Sequence, residues 1–219
     1  MQPDFWHERW RTRQIGFHRS SVNPALERWW PTLRVAPGAR VYVPLCGKSL
    51  DLRWLAARGH AVTGSELSPI AISEFYSEAG LGATASPLGS HVRHAAGPYT
   101  ILEGDALALG PSEVGAVDAA YDRAALVALP AELRRRHARV LASLLGAGAP
   151  LLLVSFEYDP SKMDGPPFAV TADEIQALFD ADFDVAELER NEIIGESPRF
   201  VEAGLESLHE VAWRLVRRG

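Results

Sequence analysis

The chain has 219 residues, 47% of them apolar and 23% charged, ordinary globular values that exclude wholesale disorder and predict a single domain over residues 1–219. Its 22 basic and 28 acidic side chains give a formal charge of −6, which argues against a nucleic-acid binder, since such a protein presents a basic face. Cys46 is the single cysteine, so an internal disulfide is excluded, and no stretch reaches the roughly 20 apolar residues of a membrane helix; a soluble cytoplasmic protein is expected.

From Asp4 to Arg13 a helix is predicted whose 6/10 spacing puts the indoles of Trp6 and Trp10 on one face. Asn23-Pro24, a cap followed by a first-turn proline, opens a second helix through Trp29 and Trp30. After the Pro37-Gly38 turn, residues 40–44 read as a buried strand, Leu45 to Lys48 as its loop, and Ser49 to Arg58 as a helix stopped by Gly59. The pattern repeats: strand 60–66, then a helix from Ser68-Pro69 to Gly80. Residues 82–97 are rich in small side chains and read as a surface insertion. Tyr99 to Leu102 is strand-like and ends in Gly104-Asp105, and residues 116–121 form an apolar strand followed by Asp122-Arg123. Residues 130–145 form a helix and 150–156 the most apolar strand. Thr171 and Glu174 make a capping box for a helix through Phe179, and strand-like segments follow at 183–189 and 209–216.

Strands alternating with helices predict an α/β fold: a doubly wound, mostly parallel Rossmann-like sheet with an antiparallel C-terminal strand. Residues 1–34 precede it as a helical lid over the carboxyl edge of a core at 35–219. In such a sheet the ligand lies at the carboxyl ends of the strands. Glu66 ends the second strand about 20 residues after the first loop, where a carboxylate can accept from two ribose hydroxyls; a solvated strand-end carboxylate is the plain alternative. The first loop holds one glycine, Gly47, where a dinucleotide fingerprint needs three, which opposes a nicotinamide oxidoreductase and suits an adenosine cofactor without phosphates such as S-adenosylmethionine. Asp105 either meets the adenine amino group or caps the next turn, the cap being favoured. Asp122 and Arg123 are both expected to emerge into the cleft, unless they form an internal pair. Trp6, Trp10 and Phe17 can attract a sulfonium cation, although such clusters are usually core. Cys46 reads as a small buried hydrophobe, and no histidine spacing marks a metal site, His91 and His94 being the one close couple.

Taken together, Phe5-Trp6 to Trp10, Gly16-Phe17-His18, the run from Val43 to Ser49 through PLCGKS, Gly64-Ser65-Glu66-Leu67-Ser68, Gly104-Asp105, Asp122-Arg123-Ala124-Ala125-Leu126 and Gly165-Pro166-Pro167-Phe168 resemble bacterial thiopurine S-methyltransferases. The resemblance covers residues 5 to about 180. It implies S-adenosylmethionine held by Trp10, Leu45, Glu66 and Arg123, with Trp6, Phe17, Asp105 and Ala106 lining the pocket. Ala106 and Leu107 stand where relatives often carry an aromatic residue, and the segments at 83–97 and after Arg190 match poorly, which leaves the acceptor pocket open. It further implies a monomer acting on small thiols, with selenium and tellurium compounds as further acceptors. Methyl transfer from a sulfonium is an in-line displacement that gains most from alignment, and an acidic thiol is ionised near neutral pH, so no protein base is required. Asp122 and Arg123 are the weak catalytic candidates. An oxygen or nitrogen methyltransferase and a non-catalytic cofactor-binding protein remain the alternatives, and no metal, nucleic acid or membrane is expected.

Overall fold

The computed structural model describes residues 3–219. Its strands are, in chain order, β1 (Arg40–Val43), β2 (Ala61–Glu66), β3 (Thr84–Leu88), β4 (His91–Ala96), β5 (Tyr99–Glu103), β6 (Ala119–Arg123), β7 (Pro150–Glu157), β8 (Phe183–Glu192) and β9 (His209–Arg217). They form one sheet in the order β3-β4-β5-β2-β1-β6-β7-β9-β8. The five central strands, β5-β2-β1-β6-β7, are parallel. The chain winds outward from β1 to β2 and β5, then returns to β6 on the other side of β1. That reversal puts the switch point, and hence the crevice, between the carboxyl ends of β1 and β6. The class is α/β as expected, and β8 and β9 are antiparallel to each other and β9 to β7.

The helices are α1 (Pro3–Arg11), α2 (Pro24–Trp29), α3 (Leu50–Ala57), α4 (Pro69–Glu78), α5 (Pro111–Val114), α6 (Ala131–Leu144), α7 (Ala172–Phe179) and α8 (Pro198–Glu202). Two cores lie on opposite faces of the sheet. On one, Leu26 of α2, Leu52 and Leu55 of α3, and Ile72 and Phe75 of α4 pack on Val41, Val43, Val62 and Tyr121. On the other, Ala138 and Leu141 of α6 and Ile175 and Phe179 of α7 pack on Tyr42, Ala120, Leu151 and Leu153. Consecutive strand residues alternate between these two cores, the period-two pattern of a pleated strand.

Three expectations are corrected. Residues 82–97 are not an insertion: β3 and β4 form a hairpin paired antiparallel onto β5. β3 is an edge strand whose residues are exposed or half-buried, so it carries no apolar alternation to be read. The strand expected at 116–121 instead runs Ala119–Arg123, because Asp122 and Arg123 pair with Leu153 and Val154 of β7. The capping box of α7 is half-formed: Thr171 Oγ1 accepts from Glu174 N at 3.2 Å, but the Glu174 carboxylate is taken by Arg134 at 2.7 Å.

Candidate active site

The first half of the crevice is built by the ends of β1, β2 and β5. Beyond β1 the chain turns sharply through Leu45 (φ 45°) and Gly47 (φ 52°), both in the left-handed region. For leucine that conformation costs about 1–2 kcal/mol, offset here by bonds from Leu45 N to Ser65 Oγ (3.3 Å) and from Cys46 N to Ser65 O (2.9 Å). Glu66 is buried at the end of β2. Its Oε2 accepts from Gly47 N at 2.9 Å and its Oε1 from Ser68 N at 2.7 Å. Burial raises its pKa, opposed by the amides of Ser68, Gly47 and Leu67. One backbone donor per oxygen leaves each with lone pairs to spare, which suits a vicinal diol. At the end of β5, Gly104 takes φ 143°, and a Cβ there would meet the His91 ring at 2.4 Å. Asp105 caps the short turn that follows, accepting from Leu107 N at 2.9 Å, as the favoured reading has it, and Ala106, the first residue of that turn, is buried.

Over this half lies the N-terminal segment. Trp10 is buried and packs on the β1 loop, so that a Cβ at Gly47 would meet its ring at 3.2 Å. Phe17 stands edge-on to both Trp6 (5.6 Å) and Trp10 (5.7 Å). Arg13 of this segment pairs with Glu74 of α4, and Lys48 of the β1 loop reaches Glu74 at 3.0 Å and Glu78 at 2.6 Å. The segment is thus fastened to the rim by charge as well as by aromatic packing.

The second half is built by β6, β9 and distant loops. Here the expectation that Asp122 and Arg123 emerge together is corrected: adjacent strand residues point to opposite faces. Asp122 turns away, fully buried under α6, with Oδ2 2.6 Å from His137 Nε2 and Oδ1 accepting from Leu126 N at 3.1 Å. It faces no crevice, and it forms no pair with Arg123. Arg123 points to the face that carries the N-terminal segment, and its Nη1 donates to Phe17 O at 3.2 Å. Its buried Nε has no hydrogen-bond partner among the described residues, and neither has the buried Nε of Arg19. Arg199, in α8, lies against the same segment, since a Cβ at Gly16 would meet its Nη1 at 2.7 Å. Burial lowers the pKa of Arg199, and the Arg123 charge lowers it further. Glu210 of β9 is buried on this face and accepts from Asn23 Nδ2 at 3.3 Å.

Arg19, Arg199 and Glu210 were not singled out from the sequence. None lies in a motif, and the visible signal was a glutamate embedded in an otherwise buried strand. Cys46 is buried, and burial pushes its thiol well above the ordinary range, so it is no nucleophile at neutral pH. His91 and His94 have separate partners, Asp105 O at 3.1 Å and Glu103 at 2.8 Å. No described helix is long and apolar enough to cross a membrane.

The family model described as thiopurine S-methyltransferase matches residues 1–218. A thiopurine S-methyltransferase of Bordetella petrii is 45% identical over 219 residues, covering 100% of both chains. That of Shewanella amazonensis is 44% identical over 218 residues, again covering 100% of each. Among solved structures, a Burkholderia thailandensis methyltransferase with bound 1,6-didemethyltoxoflavin and S-adenosylhomocysteine superposes with a TM-score of 0.67 at 15% identity, over 99% of this chain and 87% of that one, which shows the shared fold.

Proposed function

The chain belongs to the thiopurine S-methyltransferase family, and from that premise we propose how its crevice works. It is an S-adenosylmethionine-dependent S-methyltransferase. The residues present fit that cofactor. A buried carboxylate with spare lone pairs suits the ribose diol, a guanidinium with an unpartnered Nε suits the methionyl carboxylate, and aromatic edges and faces suit the sulfonium. Our reading is that Trp10, Leu45, Glu66 and Arg123 hold it, with Trp6, Phe17, Asp105 and Ala106 lining the pocket. The observation that carries this reading is Glu66: a buried carboxylate at a strand end, steadied by Gly47 N and Ser68 N, is costly unless a ligand completes its bonding.

When bound, S-adenosylmethionine supplies a methyl group already activated by its positive sulfur. The chain's own residues orient the partners and exclude water. Trp6, Trp10 and Phe17 close over the loop that carries Leu45. Arg123, Arg19 and Arg199 give the second half of the crevice a positive potential, which favours an anionic acceptor over a neutral one. We therefore read the acceptors as small aromatic and heterocyclic thiols of the thiopurine type, taken as thiolates, with selenium and tellurium nucleophiles as softer members of the same class. Such an acceptor arrives already ionised and needs no base, and Asp122 is not placed to be one, being turned into the opposite core.

The same reading takes the chain as one domain, a lid at 1–34 on a core at 35–219, acting as a cytoplasmic monomer with no nucleic-acid partner. The net charge of −6 supports the last point. The test is incubation with labelled S-adenosylmethionine and matched panels of thiols, phenols and amines. Label transferred to acidic thiols first is the expected result; label on phenols or amines alone would replace the reading with an oxygen or nitrogen methyltransferase.

A further inference from the structure

Glu210 belongs to a buried polar chain that the methyl transfer itself does not use. Tyr121 OH donates to Asp51 Oδ2 at 3.0 Å, Asp51 Oδ1 accepts from Asn23 N at 2.9 Å, and Asn23 Nδ2 donates to Glu210 Oε2 at 3.3 Å. All four residues are buried. Asn23 meanwhile caps α2, its Oδ1 accepting from Ala25 N (2.8 Å) and Leu26 N (3.3 Å). The cap that ends the N-terminal segment is thereby tied to β6, to α3 and to the start of β9.

Strand alternation fixes which way Glu210 faces. Its period-two neighbour Ala212 and the β6 residue Tyr121 both lie in the core beneath α2 and α3, whereas Val211 and Trp213 lie in the other. Arg123, two residues beyond Tyr121, shares that face. The charged and titratable groups around Glu210 are Arg123 and Tyr121 from β6, Arg19 from the segment before α2, and Asp51 from α3; Arg199 of α8 acts on the same cluster through Arg123. No carboxylate forms a direct ion pair with Arg123, Arg19 or Arg199 among the described residues; Glu210 acts on Arg123 and Arg19 at a distance and leaves the buried Nε of each without a partner, while Arg123 Nη1 holds Phe17 O.

We propose that Glu210 is a positioning residue for the methyl acceptor: tied to Asn23 on the face that carries Arg123, its carboxylate is the counter-charge that sets how firmly the arginine cluster holds an anionic thiolate. This rests on the acceptor class read above. Three guanidiniums without a counter-charge would over-stabilise the thiolate, weakening it as a nucleophile, and would repel a cationic cofactor. A carboxylate placed behind them moderates both effects without occupying the crevice. Burial raises the pKa of Glu210 against the pull of Arg123 and Arg19, as expected of a carboxylate kept out of direct pairing.

The experiment reads the ionisation of a bound acceptor. Thiophenol is titrated with pH on the S-adenosylhomocysteine-loaded protein, the thiolate being followed by its ultraviolet absorbance, and the inflection of kcat against pH is measured in parallel. Glu210→Gln keeps the shape and the Asn23 bond but removes the charge, so bound thiophenol should ionise at a pH lower by about half a unit or more. Arg19→Gln should move it the other way, and Glu210→Asp, which keeps the charge, should leave it at the wild-type value. Shifts below about 0.2 units in both charge variants overturn the proposal. So does an Asp variant that shifts as far as Gln, since the role would then be packing. Should Glu210→Gln not fold, Glu210→Met, uncharged and of similar length, is read in its place: the same downward shift is expected, and its absence overturns the proposal. A wild-type protein that neither binds nor methylates any thiol defeats the acceptor reading itself, a result distinct from an unmoved inflection.

Discussion

The two halves of the crevice are made in different ways. In the half at β1, β2 and β5, each functional group is held by backbone a few residues away or on the adjacent strand: Glu66 by Gly47 N and Ser68 N, Asp105 by Leu107 N, Leu45 by Ser65. In the half at β6 and β9, Arg19, Arg123, Arg199 and Glu210 come from four separate stretches of chain and influence one another through space. The first half is held by local hydrogen bonds; the second is assembled from distant stretches and tied to the N-terminal segment, with Phe17 O bonded to Arg123. A cofactor common to many enzymes suits the first kind of site, and an acceptor particular to one suits the second.

The largest expected break falls where the halves meet. Deleting residues 1–18 removes Trp6, Trp10, Phe17 and the partner of Arg123 while leaving both sheet cores intact. The truncated chain should fold, by circular dichroism, yet lose methyl transfer by about a hundredfold or more, the scale of a lost alignment. Full activity after truncation would dissolve the lid and with it the coupling of the halves.

Within the first half, Glu66→Ala removes the acceptor of two backbone amides and of the proposed ribose bonds. Bonds to charged groups contribute about 1.5–3 kcal/mol each. Calorimetry should therefore show S-adenosylmethionine affinity down at least roughly tenfold. NADH, whose pyrophosphate lacks a glycine cradle here, should give no measurable heat. Unchanged affinity in the variant would take Glu66 out of the site.

Asp122 and Arg123 bring the comparison down to adjacent residues. Asp122→Asn weakens a buried acceptor of His137 and Leu126 N, so stability should fall by about 1–3 kcal/mol in denaturant titration. Its effect on the rate should be small, and across a series of aryl thiols the inflection of rate with pH should track each acceptor's own pKa in wild type and variant alike. One inflection shared by every acceptor and abolished by Asp122→Asn would make Asp122 the base and reverse the assignment of faces.

These contrasts also explain what the sequence made legible. The parallel core, the Glu66 position and the PLCGKS loop were readable because each depends on local order: a strand, a turn, a carboxylate at its end. The direction of Asp122 was misread because the strand was ended at Tyr121; once Asp122 and Arg123 join β6, alternation sends them apart. The 82–97 hairpin was missed because an edge strand need not bury a face. Arg199 and Glu210 carry no motif, and their meeting with Arg123 depends on the sheet order around β6, β7 and β9, which no spacing encodes.

The smallest effect concerns the fastening of the segment that joins the halves. Glu74 accepts from Arg13 of the segment and is ion-paired with Lys48 of the β1 loop, which also holds Glu78. Although burial works to raise it, the pKa of Glu74 is lowered overall by Lys48 and then by Arg13. A carboxylate whose folded pKa is depressed adds stability that is fully present above its ordinary value of 4.5 and is lost as pH falls through the lower folded value. His18 lies in the same cluster; burial first and Lys48 next push its pKa below 6.5, so it adds no charge at pH 7. The fastening should therefore be constant from about pH 7.5 to 6.5 and fail only in acid, below about 4.5. Because the Arg13 side chain is 66% exposed, the latch is worth only about 0.4–1 kcal/mol, a two- to fivefold change in how often the segment opens. Amide exchange of the peptide carrying Trp10 is the direct readout. Glu74→Gln should speed it two- to fivefold at pH 7, an effect that added salt should mimic in the wild type and not extend in the variant. Exchange unchanged by Glu74→Gln and by salt would mean that Trp10 on Gly47 and Phe17 on Arg123 hold the segment alone, so that the two halves are joined by packing rather than by charge.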